Sequence, residues 1–163
     1  MPSRVLETSG PSETEELGAD LAALLAPGDL VLVRGELGAG KTTLVRGAAR
    51  ALGVHDPVTS PTFAVGHRYR GERATVSHLD LYRLSGLGAE EPDLLADYLG
   101  PRRIAFVEWP QDGAPELSEP RLTVTIHHAG GDARRIEVQE GTAARRSPAG
   151  QSPTVTGGLL DSR

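Results

Sequence analysis

The clearest chemical signal in this sequence is a glycine-rich loop, residues 35–42, that fits the phosphate-binding pattern G-x-x-x-x-G-K-[ST] without a mismatch. Its glycines allow the backbone to turn tightly with N–H groups directed inward, where they can hold phosphate oxygens. Lys41 adds a compact positive charge, and the Thr42 hydroxyl can bind Mg²⁺. Lys41 is also the only lysine among 17 basic residues. The loop therefore predicts a nucleotide-binding site.

Two acidic residues end predicted strands and could reach the same nucleotide. Glu108 follows the apolar run 104–107, as the acid of a Walker B strand does, so its carboxylate could reach a metal directly or through water. Asp80 ends another predicted strand. Its carboxylate could enter the site or could cap the following turn, and the residues alone leave both interpretations open.

The elements that flank the loop support a phosphate site. Residues 30–33 form a short apolar run that is typical of a buried strand. Residues 43–52 predict a helix, because Leu44, Ala48 and Leu52 share one face and the glycine at position 53 stops it. A strand, a glycine loop and a helix in this order place the helix N-terminus, with its free N–H groups, at the phosphate.

The rest of the chain predicts further helices and strands around this unit. A capping box at residues 12–15, followed by leucines at helical intervals, predicts a first helix over residues 13–26. Residues 63–80 predict two antiparallel strands joined by a turn at residues 70–73. Residues 56–63 predict an ordered loop, residues 93–99 a short helix, and residues 122–126 and 135–138 a hairpin at a sheet edge with one face exposed to solvent.

The predicted fold class is therefore α/β, a P-loop NTPase with a mostly parallel central sheet, flanking helices and antiparallel edge hairpins. The 163 residues predict one domain, residues 1–140, and a disordered tail, residues 141–163. A net charge of −5, and the lack of a membrane-spanning run or a signal peptide, predict a cytoplasmic protein. The absence of cysteine excludes disulfides and thiolate metal sites. His127 and His128 are interpreted as solvated turn residues.

Four sequence blocks together resemble one protein family. They are the phosphate-binding loop extended to Thr43, Ser60-Pro61-Thr62-Phe63, His78-x-Asp80-x-Tyr82-Arg83, and Phe106-Val107-Glu108-Trp109-Pro110. In this order and spacing, across residues 12–138, they resemble the TsaE type of ATPase in bacterial tRNA threonylcarbamoyladenosine biosynthesis. Each later block alone is a weak signal, whereas the joint match is highly specific.

The resemblance implies a small ATPase that uses ATP and Mg²⁺ and acts with partner proteins. Those partners would transfer the threonylcarbamoyl group to adenosine 37 of tRNA. The chain itself is expected to be monomeric when isolated, without membrane contact, and its contact with tRNA is expected to be indirect or weak.

The resemblance also implies a set of site residues. The nucleotide would be bound by Gly38, Ala39, Gly40, Lys41, Thr42, Thr43, Thr62, Asp80 and Arg134. Catalysis would depend on Lys41, Asp80 and Glu108, and Mg²⁺ would be served by Thr42 and Glu108. Thr62 would belong to a nucleotide-sensing switch loop, and Trp109 would lie beside the site.

Two other functions remain open at the level of the sequence. A small-molecule kinase would share the phosphate loop and the metal, but it needs an acceptor pocket and usually an arginine-rich lid. No such lid segment is apparent between residues 84 and 103. A nucleotide-binding regulatory module that does not hydrolyse ATP would need only the loop.

Overall fold

The computed structural model describes residues 2–61, 66–80, 96–109 and 119–141. Its named elements, in chain order, are β1 Ser3–Thr8, α1 Pro11–Ala22, β2 Leu30–Gly35, α2 Lys41–Ala51, β3 Gly66–Arg70, β4 Thr75–Asp80, β5 Arg103–Trp109, β6 Leu122–His128 and β7 Arg134–Glu140. Residues 96–98 are also helical. The beginning of the predicted helix 93–99 and the predicted tail beyond residue 141 lie outside the described residues.

The strands form one seven-stranded sheet in the order β1-β7-β6-β2-β5-β4-β3. β2 is parallel to both of its neighbours, β5 and β6, and β5 is also parallel to β4. The outer pairs β3–β4, β6–β7 and β1–β7 are antiparallel. The predicted fold class is therefore confirmed. Because the four central strands run in one direction, their carboxyl ends meet at one edge of the sheet, where α/β proteins bind ligands.

The two helices α1 and α2 pack against each other over one face of this sheet. A Cβ atom at Gly47 in α2 would clash with the backbone oxygen of Glu15 in α1, so the close crossing requires glycine there. The Glu15 carboxylate also accepts a hydrogen bond from Arg50 at 2.9 Å. These contacts fix α2, and with it the end of the phosphate loop, relative to the rest of the fold. Neither these helices nor any other helical segment within the described ranges is long and apolar enough to cross a membrane.

The hydrophobic core follows the alternation of side chains along β2. Val31 and Val33 belong to the core beneath the helices, together with Leu44 and Ala48 of α2 and with Leu52, the C-cap residue of that helix. Leu30 and Leu32 point to the opposite face, where they pack with Leu79, Ala105 and Val107. β2 is thus buried on both faces, as its unbroken apolar sequence predicted.

The first helix begins and ends earlier than predicted. α1 begins at Pro11 with Gly10 as its N-cap, and not at residue 13 behind a capping box. Proline suits this first position because its missing N–H would have no partner inside the helix. The carboxylate of Glu13 instead accepts a hydrogen bond from the backbone N–H of Ser9 at 2.7 Å. The helix ends at Ala22, where the N–H groups of residues 24 and 25 make tighter turn bonds.

The C-terminal hairpin β6–β7 forms as predicted, but its predicted place at the sheet edge is wrong. β1 pairs along the whole of β7, from Ser3 opposite Gln139 to Thr8 opposite Arg134, and forms the edge itself. Most side chains of β1 are exposed. The strand therefore lacks the buried alternation from which a strand is predicted, and the sequence analysis missed it.

Candidate nucleotide-binding site

The phosphate loop joins the carboxyl end of β2 to the first turn of α2. Gly38 and Gly40 have backbone φ angles of 75° and 104°, which residues with a Cβ atom rarely adopt, so the loop needs glycine at both turns. Gly40 is the N-cap of α2. The first N–H groups of the helix, including those of Thr42 and Thr43, therefore belong to the loop and have no partner inside the helix. This is the backbone arrangement that binds phosphate at a helix N-terminus.

Lys41, the first residue of α2, folds its side chain back over the start of the loop. Its Nζ atom donates hydrogen bonds to the carbonyl oxygens of Gly35 at 2.6 Å and Glu36 at 3.4 Å. Ala39, in the same loop, is fully buried. The only ammonium group of the chain outside its N-terminus thus lies at the predicted phosphate site.

Glu108, near the end of β5, is held from two sides. The Thr42 hydroxyl donates a hydrogen bond to Oε1 of Glu108 at 2.9 Å, and Nε2 of His78 lies 2.9 Å from the same oxygen. Glu108 is 4% exposed and His78 is 0% exposed. The first turn of α2 therefore meets the predicted Walker B strand in a partly buried contact, and His78 of β4 adds a buried contact to the same carboxylate.

The environment of Glu108 keeps its carboxylate ionised. Burial alone would raise its pKa, but the hydrogen bond and charge of His78, the hydrogen bond of Thr42 and the charge of Lys41 together lower the pKa below its ordinary value. An ionised carboxylate only accepts hydrogen bonds, so Nε2 of His78 is the donor in this pair. The other ring nitrogen, Nδ1, is buried without a hydrogen-bond partner within the part of the chain that the structure describes.

Asp80 ends β4 beside Glu108, since the two residues are paired in the parallel register of β4 and β5. The structure thus brings together the two acids that the sequence analysis placed at strand ends. His78 lies two residues before Asp80 and shares its face of the strand. The sequence analysis gave His78 no role, although its spacing from Asp80 in a predicted strand was the available signal.

Comparison with known proteins finds a family whose match includes the phosphate loop, Asp80 and Glu108. The family model described as "Threonylcarbamoyl adenosine biosynthesis protein TsaE" matches residues 8–136. The chain belongs to the TsaE family. A tRNA threonylcarbamoyladenosine biosynthesis protein TsaE from Streptomyces coelicolor is 48% identical over 119 residues, which are 72% of this chain and 80% of the relative. The protein of the same name from Bacillus subtilis is 37% identical over 130 residues, or 79% of this chain and 80% of the relative.

A solved structure supports the same family. The crystal structure of Bacillus subtilis YdiB is similar to this TsaE-family fold, with a TM-score of 0.62 and 30% sequence identity. The similarity covers 85% of this chain and 86% of YdiB. The likeness therefore extends over most of both chains and is not confined to the phosphate loop.

Arg134, which the resemblance places facing the nucleotide, directs its hydrogen bonds to backbone carbonyl oxygens. Its Nε atom donates to Ala39 at 2.9 Å and its Nη2 atom to Gly38 at 3.3 Å, both in the phosphate loop. Its Nη1 atom donates to Gly131 at 2.7 Å and Ala133 at 2.8 Å in the β6–β7 turn. In this TsaE-family protein the structure thus shows Arg134 in contact with the backbone of the phosphate loop.

The structure does not describe Thr62, and it describes only the backbone of Trp109. Thr62 lies outside the described residues, which end before it at Pro61. Trp109 is the last residue of β5, where its backbone is paired with Arg34 of β2. The expected position of Trp109 beside the nucleotide therefore rests only on its place in the chain, directly after Glu108.

The oxygen atoms at the loop fit the ligand preference of Mg²⁺. The hydroxyl of Thr42 and the carboxylate of Glu108 are hard oxygen donors that already touch each other. No group of three or more His, Cys, Asp or Glu side chains capable of holding a metal occurs among the described residues.

Proposed function

We propose that this TsaE-family protein is a Mg²⁺-dependent ATPase that acts in the biosynthesis of threonylcarbamoyladenosine at position 37 of tRNA. The observation that carries the proposal is the 2.9 Å hydrogen bond from Thr42, in the phosphate loop, to the buried carboxylate of Glu108. A loop that only turned the chain would have no reason to place its hydroxyl on an ionised acid of a distant strand. Both oxygen groups are ligands that Mg²⁺ prefers, so the pair could hold the ion beside a nucleotide phosphate.

Each part of the site has a separate task in this proposal. The backbone N–H groups of residues 38–43 hold the phosphate oxygens, and Lys41 places its charge beside the β- and γ-phosphates. Thr42 and Glu108 would hold Mg²⁺, which neutralises charge on the phosphates when bound. Asp80 and Glu108 orient the attacking water. The water oxygen bonds to the γ-phosphorus as the bond to the leaving oxygen of ADP breaks. One proton of the water stays on the new phosphate and the other passes to solvent, so the products are ADP, phosphate and a proton.

The loop that precedes β3 is proposed to couple the nucleotide to partner proteins. Its described part is anchored at two points. Arg46 of α2 donates to the carbonyl oxygen of Val58 from both Nε, at 3.3 Å, and Nη2, at 3.1 Å. The backbone N–H of Thr59 donates to the hydroxyl of Tyr69 at 3.3 Å. A loop held at its base and carrying Thr62 further on could respond to the γ-phosphate and change a surface that partners recognise.

The partners in this proposal are the proteins that transfer the threonylcarbamoyl group, and the expected compartment is the cytoplasm. If the loop couples the nucleotide site to the partner surface, the protein must bind its partners with different affinity when it holds ATP and when it holds ADP. A ligand shifts an equilibrium between two states only by the difference in its affinity for them. Equal partner affinity in the presence of ATP, of ADP and of no nucleotide would rule out this coupling.

The decisive experiment is a single-turnover measurement of ATP cleavage with the isolated protein, with Mg²⁺ and then with excess chelator. An ATPase releases ADP and phosphate in a Mg²⁺-dependent manner without any acceptor, and the transferring partners then accelerate it. A kinase stays near background until its acceptor is added, and a nonhydrolysing module binds ATP without cleaving it. The Lys41→Ala protein provides the background rate. Cleavage equal to that background, with and without the partners, would contradict the proposal.

A further inference from the structure

Arg134 lies where the β6–β7 turn meets the phosphate loop, and all three of its guanidinium nitrogen atoms donate to backbone carbonyl groups. Two of these carbonyls, of Gly38 and Ala39, belong to the loop. The other two, of Gly131 and Ala133, belong to the turn. The turn is closed by its own bond, from the N–H of Ala133 to the carbonyl of Gly130 at 3.0 Å. One side chain thus joins two backbone segments that are far apart in the sequence.

The direction of these bonds matters for phosphate binding. A phosphate loop works by turning its N–H groups inward, so the carbonyl groups of the same peptides must point away from the phosphate. Each such carbonyl needs a partner or water on the outer side. Arg134 supplies partners to two successive carbonyls with its planar fork of donors, which a lysine ammonium does not reproduce.

We propose that Arg134 is a positioning residue that clamps the phosphate loop in its binding conformation by holding the outward carbonyls of Gly38 and Ala39. The inference rests on the proposed nucleotide binding and assigns to Arg134 a task other than direct contact with the nucleotide. Its counterpart for comparison is the neighbouring Arg135, an exposed arginine whose side chain contacts Glu137 at 3.2 Å and makes no contact with the loop.

The first test compares ADP affinity by calorimetry, in the presence of excess EDTA, for the wild type, Arg134→Gln, Arg134→Lys and the control Arg135→Gln. Loss of the clamp lowers the fraction of loops that can bind, and the apparent dissociation constant rises by the inverse of that fraction. We expect affinity to fall about tenfold for Arg134→Gln, which corresponds to the loss of about one charge-assisted bond. Arg134→Lys should lose nearly as much, because it keeps the charge and loses the fork. Arg135→Gln should bind like the wild type.

Direct contact between Arg134 and the nucleotide predicts a different result. The lysine variant would then keep much of the affinity through its charge, and the loss would be larger for ATP than for ADP if the contact were to the γ-phosphate. A clamp lowers the affinities for ATP and ADP by the same factor. Retention of wild-type affinity in Arg134→Lys would overturn the proposal.

The second test observes the loop without any nucleotide, and it uses the single lysine of the chain. A lysine-specific protease can cut the wild-type sequence only after Lys41, and cleavage within a folded protein requires local opening of the segment. We expect Arg134→Gln to be cut at least about fivefold faster than the wild type and than Arg135→Gln, at unchanged melting temperature. Equal cleavage rates would overturn the clamp. If the wild type bound no ADP, the proposed function would fail, whereas this second test would still measure the clamp.

Discussion

His78 offers the sharpest test of how the site is built. Its side chain is fully buried, and its one side-chain hydrogen bond within the described residues is to the ionised carboxylate of Glu108. In His78→Phe the ring keeps most of its volume but cannot donate. Glu108 would then stay buried with Thr42 as its remaining described side-chain donor. Loss of a hydrogen bond to a charged group costs about 1.5–3 kcal/mol. We expect the free energy of unfolding at pH 7 to fall by about this amount.

The measurement is urea unfolding at equilibrium, with two comparison variants. In His78→Gln the side-chain amide can donate from nearly the same place, so most of the stability should return. His67→Phe makes the same change in β3, at the residue paired with His78 across the strands, where the histidine is only partly buried. This variant should lose much less stability.

A second measurement is the Mg²⁺ concentration at which the increase in ATP affinity is half complete. It should rise in His78→Phe and stay unchanged in His67→Phe. If His78→Phe were as stable as His67→Phe and kept its Mg²⁺ dependence, the inferred support of Glu108 would be wrong.

Three further predictions concern the loop, the Walker B acid and the tail. Lys41→Ala should weaken ATP binding at least about tenfold, because the site loses a charge-assisted contact with phosphate; unchanged affinity in calorimetry would contradict the assignment of the loop. Glu108→Gln should retain ATP but cleave it slowly in single-turnover assays. Because the pKa of Glu108 is lowered on folding, its ionised form contributes stability above its ordinary pKa of 4.5. That contribution is lost as the pH falls through the folded pKa, so the stability difference between wild type and Glu108→Gln should shrink on acidification. Removal of residues 143–163 should leave the melting temperature and ATP cleavage unchanged, and a fall of several degrees would show that the tail packs on the domain.

The features that were predicted well are those whose signal lies in neighbouring residues. The phosphate loop is one continuous pattern between an apolar strand and a helix, so its residues, its glycine turns and the inner face of α2 could be predicted together. β5 is similar, because the apolar run that ends in Glu108 predicts both the strand and the acid near its carboxyl end. β1 carries no such local signal, since it forms by pairing with β7 and leaves most side chains exposed.

The features that were missed depend on which strands become neighbours. His78 reaches Glu108 only because β4 lies parallel to β5 in a particular register, and no spacing along the chain reveals that register. The contacts of Arg134 likewise depend on a turn that the fold brings against the phosphate loop. Sequence analysis could name Arg134 through family resemblance, but the partners of its guanidinium group could be identified only from the folded structure.

The site combines two kinds of support that act on different groups. Arg134 acts on the backbone of the loop, from the antiparallel part of the sheet, and its effect should therefore extend to every phosphate that the N–H groups bind. His78 acts on the carboxylate of Glu108, from the parallel part of the sheet. Its effect should therefore be limited to the Mg²⁺ that this carboxylate is proposed to hold. β2 joins the two parts, because it is hydrogen-bonded to β6 on one side and to β5 on the other. The position of β2 at the centre of the sheet thus explains how a short loop at its end can be supported from both sides.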